Sequence, residues 1–181
     1  MSTIGHYTMS LDGYVAGPDD AMDWTLGHGA ATSLADETMG RVGAVLGGRR
    51  WFELATDRWN GVDGIYGGGF KGPVFVLSHR PPPPNADPRV TFLSDTLEAA
   101  VATAQAGAGP RDVAIFGASL VQQCLRAGLL GELVLHVVPV LLGSGVALFD
   151  GAGRVELERL ALGQADQITD LRFRVINERP A

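Results

Sequence analysis

Twice along this chain a short apolar run ends in glycine and passes directly into a helical pattern. The runs are VLGG, followed by RRWFELA at residues 45–55, and AIFG, followed by ASLVQQC at residues 114–124. Short, uninterrupted apolar runs are typical of strands buried on both faces, as in a parallel sheet. Such strands, alternating with helices, predict a sheet covered by helices on both faces.

The other patterns complete this α/β fold. Strands are predicted at 3–9, 43–47, 73–79, 90–93 and 112–117, and helices at 33–42, from 49, at 94–109 and at 118–130. Ser33 is the predicted cap of the first helix, and Asp95 with Glu98 has capping-box spacing. Residues 57–72 are expected to form a surface loop, residues 132–143 a long apolar strand, and residues 154–178 an antiparallel hairpin. The proline run at 80–88 is interpreted as a loop, so residues 1–181 are predicted to be one three-layer α/β/α domain with a mostly parallel sheet.

Composition narrows the range of partners. A net charge of −6 and a pI of about 5.1 argue against nucleic acid as the main partner. Cys124 is the single cysteine, and no Cys/His spacing is typical of a metal site. The chain shows no signal-peptide pattern and no apolar run long enough for a membrane span. We therefore expect a soluble cytoplasmic protein without nucleic-acid, membrane or metal partners.

Glycine, basic and hydroxyl residues follow three of the predicted strands. These strand ends are Gly48-Arg49-Arg50, Ser78-His79-Arg80 and Gly117-Ala118-Ser119. In open α/β sheets, ligands bind beyond the carboxyl ends of the strands, where helix N-termini present free N–H groups. The third strand end suits a pyrophosphate, and the arginines of the other two suit a ribose 2′-phosphate.

Two alternatives stay open for these strand ends. Arg49 and Arg50 are also compatible with a solvated helix start, and glycine ends many strands for structural reasons alone. The chain has no G-x-G-x-x-G or Walker motif. None of the turns carries the acidic residue that an NAD site favours, so the pattern indicates NADP(H) rather than NAD(H).

Four segments in order resemble the dihydrofolate-reductase-like superfamily. They are MSLDGYVAG, VLGGRRWFE, VFVLSHR and VAIFGASLVQQCLRAGLLGELVLHVVPVLLGSGVALF. The chain is most similar to the branch that includes the C-terminal reductase domain of bifunctional riboflavin-biosynthesis deaminase/reductase enzymes. This resemblance implies a dihydrofolate-reductase-like fold, NADPH as cofactor and hydride transfer to a flat heterocycle.

The resemblance also implies roles for individual residues. Gly48, Arg49 and Arg50 would lie at the adenosine-phosphate end of NADPH, and Ser78, His79 and Arg80 beside the adenine and its ribose. Gly117, Ala118, Ser119 and Leu120 would hold the pyrophosphate. Ser10, Asp12 and Gly13 would belong to a loop that closes over the nicotinamide. Trp51 stands where many relatives have a threonine, which removes one hydroxyl donor to the cofactor.

A reductase must also supply a proton, and the acidic loop offers Asp12 and Asp23 as catalytic candidates, with Trp24 as a substrate-stacking residue. The alternatives are that Asp12 braces its loop, that Asp23 caps a helix and that Trp24 is a core or pocket wall. His6 and His136 lie within strand patterns and are interpreted as packed histidines.

Three functional hypotheses remain. The first is an NADPH-dependent reductase of a small pteridine-like or pyrimidinone-like heterocycle, expected to be a homodimer. The second is an NADP(H)-binding module without turnover. The third is a structural homodimer in which residues 133–142 form an intersubunit sheet or apolar patch.

Overall fold

A computed structural model describes residues 1–29, 32–84, 86–150 and 153–176, and these residues form ten β-strands and four α-helices. The strands are β1 (Thr3–Ser10), β2 (Tyr14–Ala16), β3 (Val42–Gly48), β4 (Val74–Leu77), β5 (Val90–Leu93), β6 (Asp112–Phe116), β7 (Glu132–Val138), β8 (Val146–Ala147), β9 (Glu156–Ala165) and β10 (Ile168–Ile176). The helices are α1 (Ser33–Arg41), α2 (Arg49–Arg58), α3 (Leu97–Ala108) and α4 (Ala118–Arg126).

Eight strands form one sheet in the order β5-β4-β3-β6-β1-β7-β10-β9. Strands β5 to β7 in this order run parallel, whereas β10 is antiparallel to β7 and β9 is antiparallel to β10. Strands β2 and β8 form a separate antiparallel pair. The predicted mostly parallel sheet with a C-terminal antiparallel hairpin is confirmed; residues 177–178 of the predicted hairpin lie outside the described residues.

Side chains alternate along each strand, so each central strand presents apolar residues to both faces of the sheet. Helices and loops cover both faces. Leu46 of β3 and Ile115 of β6 join a core cluster with residues of α3 and α4. Val45 and Ala114, one position away, join a second cluster with Val62, Ile65 and Phe70 of the segment after α2. This double burial explains why β3 and β6 have uninterrupted apolar sequences, and it confirms the three-layer arrangement.

Two predicted helix caps are wrong by one residue. The hydroxyl of Thr32, not Ser33, accepts a hydrogen bond from the backbone N–H of Ala35. The hydroxyl of Thr96 caps α3 by accepting from Ala99, so Asp95 and Glu98 form no capping box. In both cases the threonine has the extended backbone that a cap requires, and its hydroxyl reaches the N–H three residues on.

Several predicted boundaries also change. Helix α2 continues to Arg58, into the predicted surface loop, and residues 61–68 of that loop form short 3-10 turns. Strand β7 ends at Val138, before Pro139, which has no N–H to continue the ladder. Because β7 pairs with β1 on one side and β10 on the other, it has no free edge for an intersubunit sheet. Among the residues described here, no helix combines the length and apolar character needed to cross a bilayer.

Candidate active site

The three predicted strand ends meet at one cavity of about 580 Å³ beyond β3, β4 and β6. Neighbouring parallel strands carry their carboxyl ends to the same edge of the sheet, which brings together turns that are distant in sequence. The predicted cofactor residues that line this first cavity are Gly48, Arg49, Arg50, Ser78, His79, Gly117, Ala118, Ser119 and Leu120. Their convergence is the geometry that a dinucleotide site requires.

Two helices begin at this cavity without a side-chain cap. The N-caps of α2 and α4 are Gly48 and Gly117, whereas α1 and α3 are capped by the hydroxyls of Thr32 and Thr96. Gly117 has a φ of 97°, a conformation that favours glycine. Backbone N–H groups at an uncapped helix start, together with the helix dipole, attract anions. The donor set of the first cavity therefore fits the phosphates of a dinucleotide.

Trp51 explains the glycine at the end of β3. Its ring occupies the space in which a Cβ on Gly47 would lie, and it also packs on Phe116 with ring centroids 5.0 Å apart. Both aromatic residues line the first cavity. Trp51 and Phe116 thus give this part of the cleft an apolar wall.

The Glu53 carboxylate accepts hydrogen bonds from two of the arginines predicted to bind the cofactor, Arg49 and Arg80. Arg49 donates through Nε to Glu53 Oε1 at 2.8 Å and through Nη1 to the Pro81 carbonyl at 2.8 Å. Arg80 donates from Nη2 to both Glu53 oxygens at 3.1 Å. The hydrogen bond from Arg49, helped by Arg80, lowers the pKa of Glu53 below its usual value. A phosphate that binds these arginines would have to compete with this carboxylate.

The remaining predicted cofactor residues lie outside the lining of the first cavity; they are Ser10, Gly13 and Arg80. The hydroxyl of Ser10 donates to Asp12 Oδ1 at 2.6 Å, and the backbone N–H groups of Leu142 and Gly143 donate to the same carboxylate at 3.1 and 2.7 Å. The Ser10 hydrogen bond is the main cause of a lowered pKa for Asp12. Ionised and held in this way, Asp12 braces the loop around Gly13 rather than facing the cavity.

Asp23 and Trp24 form part of a short turn that also avoids the cavity. Asp23 is exposed, and the indole Nε1 of Trp24 donates to the carbonyl of Ala21 at 3.0 Å. Two other loop residues, Asp20 and Met22, face the first cavity, and Asp20 accepts a hydrogen bond from Arg50 at 2.7 Å. Neither predicted catalytic carboxylate is therefore brought to the cleft, and Trp51 and Trp59 line it in place of Trp24.

A second cavity, of about 390 Å³, adjoins the first. The two share His6, Tyr7, Thr8 and Phe116 as lining residues. The second cavity extends toward α1 and β10, where Thr32, Tyr66, His136 and Ile168 line it. No arginine or lysine is among its described lining residues, so it offers hydroxyl and imidazole groups but no fixed positive charge.

His6 and His136, separated by most of the chain, are hydrogen-bonded between these cavities. Their Nε2 atoms lie 2.6 Å apart, and His6 Nδ1 lies 3.2 Å from the Tyr66 hydroxyl. His136 Nδ1 lies 2.7 Å from Oδ1 of the fully buried Asp170. Burial, together with the neighbouring His136, lowers the pKa of His6 to about 3.

The sequence patterns predict two separate packed histidines and do not indicate that the two are in contact. The contact between the two histidines follows from the parallel pairing of β1 with β7. In this register Thr8, two residues after His6, stands opposite His136. In the described part of the chain, no group of three or more His, Cys, Asp or Glu side chains is arranged to hold a metal ion. The two imidazoles and Asp170 thus form a hydrogen-bonded chain.

Fold and cleft together define the class of protein: a dihydrofolate-reductase-like α/β domain with its main cavity at the carboxyl edge of a mostly parallel sheet. A model of the RibD C-terminal domain family matches residues 3–171. The chain belongs to this family.

Individual relatives are more distant. An uncharacterized protein of Bacillus subtilis (strain 168), YwjB, is 26% identical over 155 residues, which cover 81% of this chain and 82% of YwjB. The crystal structure of a putative riboflavin biosynthesis protein from Shewanella sp. PV-4 superposes with a TM-score of 0.82 at 24% identity, covering 98% of this chain and 100% of the other.

A larger protein from Thermotoga maritima shares the same fold. It is a diaminohydroxyphosphoribosylaminopyrimidine deaminase/5-amino-6-(5-phosphoribosylamino)uracil reductase, with a TM-score of 0.67 and 12% identity. The match covers 97% of this chain but 56% of that protein. At this level of identity the likeness supports the fold.

Proposed function

We propose that this protein is an NADPH-dependent reductase that acts on a small, flat heterocycle of the pteridine or pyrimidinone type. The observation that carries the proposal is the convergence of three glycine-rich, basic or hydroxyl-bearing strand ends on the first cavity. Membership of the RibD C-terminal domain family supports a reductase, since relatives of this fold bear reductase names.

Different residues of the first cavity would bind different parts of NADPH, which supplies the hydride when it is bound. The start of α4, with Gly117 and Ser119, would bind the pyrophosphate through backbone N–H and hydroxyl groups. Arg49 and Ser78 would bind the 2′-phosphate at the opposite end. Trp51 and Phe116 would shield the cleft from water.

The substrate is proposed to bind in the second cavity without a phosphate of its own. Phosphate groups are generally held by Arg, Lys or helix starts, and the described lining of this cavity has no Arg or Lys. Its one helix start, that of α1, is already capped by Thr32. Hydroxyl and imidazole groups instead suit the ring N–H and C=O groups of an uncharged heterocycle.

The test is NADPH consumption, followed by absorbance, with three probes: dihydrofolate, 5-amino-6-(5-phosphoribosylamino)uracil and the same aminouracil without its phosphate. We expect consumption with an uncharged heterocycle and a slower reaction with the phosphorylated compound. Tight NADPH binding without consumption across the panel would instead favour an NADP(H)-binding module. That alternative has one supporting observation: Asp12 and Asp23 both lie away from the cavities.

We also propose that the protein is a homodimer. Because β7 is interior, the surface that fits a second copy is β9, the edge strand, on which Leu157, Leu160 and Leu162 are exposed. Light scattering of wild-type protein and of Leu162→Lys tests this. A dimer that becomes monomeric in the variant is expected, whereas a wild-type monomer would contradict the proposal.

A further inference from the structure

We propose that Tyr66, His6, His136 and Asp170 form a relay that delivers to the substrate the proton that hydride transfer requires, with the Tyr66 hydroxyl as the final donor. This inference rests on the proposed reductase function. It assigns to these four residues, below called the relay, the task for which Asp12 and Asp23 lie too far from the cavities.

The hydrogen-bond partners of the relay set the order of its groups. Thr32 donates its hydroxyl proton to Asp170 Oδ2, and the other carboxylate oxygen, Oδ1, accepts from His136 Nδ1. With its Nδ1 proton committed to Asp170, His136 can exchange a proton with His6 only through Nε2, where the two rings are 2.6 Å apart. His6 then has Nδ1 free for the Tyr66 hydroxyl at 3.2 Å. The four groups thus form one unbranched path from a buried carboxylate to a phenol.

Tyr66 is held at the cavity end of this path by an unusual backbone. Its φ is 51° and its ψ is 45°, which is rare for a bulky residue. Such conformations cost free energy and cluster at functional sites. The ring packs edge-on against Phe70 and Phe116 and lines the second cavity. Burial raises the pKa of the Tyr66 phenol above its ordinary value, which keeps the proton on the oxygen.

Each proton that leaves one group of the relay is taken up by the next group. Before reaction, His136 carries a proton on both nitrogens and Asp170 is ionised. In the proposed step the hydride supplied by NADPH adds to the carbon of a C=N bond of the substrate, which in the aminouracil probe is the open-chain imine of the ribosylamino group. The C=N π pair moves to nitrogen, and that nitrogen takes the Tyr66 proton. Tyr66 then takes a proton from His6 Nδ1, and His6 Nε2 takes one from His136. The substrate gains two electrons and NADPH becomes NADP⁺. The relay resets when a solvent proton is taken up at His6 Nδ1 and the proton on His6 Nε2 returns to His136 Nε2.

The distribution of charge in the structure agrees with this sequence. His6, whose pKa is lowered to about 3 by burial and by His136, stays neutral before and after each transfer. The one carboxyl group of the relay is that of Asp170, which is fully buried and hydrogen-bonded to His136 and Thr32. His136 lies between that carboxylate and His6, which makes it the proposed starting point of the proton. The relay uses His6 as a conductor and His136 as the proton store.

The central experiment replaces the proposed donor, as Tyr66→Phe, and measures NADPH affinity and single-turnover hydride transfer to the phosphate-free aminouracil. Loss of a general acid typically slows the reaction by about 100-fold or more. We expect that loss with NADPH affinity unchanged, because Tyr66 does not line the first cavity. The matched control is Tyr14→Phe, since the exposed hydroxyl of Tyr14 contacts only the carbonyl of Gly143 among the bonds described. This control should keep the wild-type rate.

A second variant tests the relay behind the donor, in case Tyr66→Phe does not fold. Asp170→Asn removes the carboxylate that lies against His136 Nδ1. The groups facing His136 are Asp170 from β10 and His6 from β1, and Tyr66 faces His6. We expect the single-turnover rate of Asp170→Asn to fall while its NADPH affinity and its KM for the probe stay at the wild-type values, because Asp170 lines neither cavity. A merely structural role would not separate rate from binding in this way.

Three outcomes are decisive. A 100-fold loss in Tyr66→Phe, together with a lower rate at unchanged NADPH affinity and KM in Asp170→Asn, supports the relay. If wild-type protein reduces the probe but Tyr66→Phe stays within twofold of its rate, the relay is overturned and the reductase stands. If wild-type protein reduces none of the probes, the reductase and the relay are both overturned.

Discussion

The two ends of the central sheet handle charge in opposite ways. At the amino ends of β3, β6 and β7, the Arg41 guanidinium donates to both Glu132 oxygens at 3.1 Å and lies 2.6 Å from Asp112. Arg172 also donates to Glu132, at 2.8 Å. At the carboxyl ends, Arg49 and Arg80 share the single carboxylate of Glu53, beside two uncapped helix starts.

This difference separates structural charge from functional charge. At the amino end Arg41 and Arg172 are matched by carboxylates of the chain, so their network closes on itself. At the carboxyl end cations and N–H groups exceed the acceptors that hold them, which leaves capacity for an anion from outside. The following predictions test this division, beginning with the largest expected effect.

Glu132→Gln should destabilise the fold without touching the cleft. Removing one partner of a largely buried ion network leaves the others uncompensated, so we expect a loss of about 3 kcal/mol in the free energy of unfolding. Urea unfolding measures this loss, and NADPH affinity of the folded variant should equal that of wild type. A stable variant with weakened NADPH binding would contradict the proposal that charge at the amino end of the sheet is structural and charge at the carboxyl end is functional.

The same variant has a characteristic pH dependence. Burial by itself would raise the pKa of Glu132, but hydrogen bonds and charges from Arg41 and Arg172 outweigh burial and lower it. A carboxyl group with a lowered folded-state pKa stabilises above its unfolded pKa, and the gain disappears as pH falls through the folded value. The stability difference between wild type and Glu132→Gln should therefore be full at neutral pH and shrink below about pH 4.5. A difference independent of pH would show that the charge of Glu132 is irrelevant.

Arg49→Met should weaken NADPH binding selectively. A charge-assisted hydrogen bond to phosphate contributes roughly 1.5–3 kcal/mol, equivalent to about 10-fold to 100-fold in affinity. NADH, which lacks the 2′-phosphate, should bind the variant almost as it binds wild type. Arg111→Met is the matched control, because Arg111 also donates to a backbone carbonyl, that of Gly40, but at the opposite end of the sheet. Equal losses for both nucleotides would argue against a 2′-phosphate at Arg49.

Glu53→Gln should have the smallest effect and the opposite sign. Without its charge, Glu53 no longer competes with a phosphate for Arg49 and Arg80, and exposed ion pairs of this kind are worth up to about 1 kcal/mol. We expect NADPH affinity to rise by about threefold to fivefold, measured by calorimetry, with NADH unchanged. A fall in NADPH affinity would instead mean that Glu53 positions the arginines for binding.

Much of the fold could be predicted because its signals are local. The uninterrupted apolar sequences of β3 and β6 follow from burial on both faces, and the glycines after them follow from the helices that begin there. The three strand ends of the cleft were predictable for the same reason. The caps were harder, since Thr32 and Ser33 are chemically similar and only backbone geometry decides between them.

The relay could not be predicted from such signals. His6, Tyr66, His136 and Asp170 lie on separate elements, and no spacing in the sequence links them. Their meeting depends on β7 lying between β1 and β10, a sheet order that short-range patterns do not encode. The acidic loop misled for the converse reason, because Asp12 and Asp23 are close in sequence to the cavity wall but do not face it. Asp12 accepts hydrogen bonds from the distant backbone of residues 142–143, and Asp23 is exposed to solvent.

The most direct test of the central claim is a calorimetric titration of the wild-type protein with NADPH and, separately, with NADH. If the three strand ends bind a doubly phosphorylated dinucleotide, NADPH should bind with a Kd at least about tenfold below that of NADH, as one charge-assisted phosphate contact implies. Weak and equal binding of the two nucleotides would contradict it.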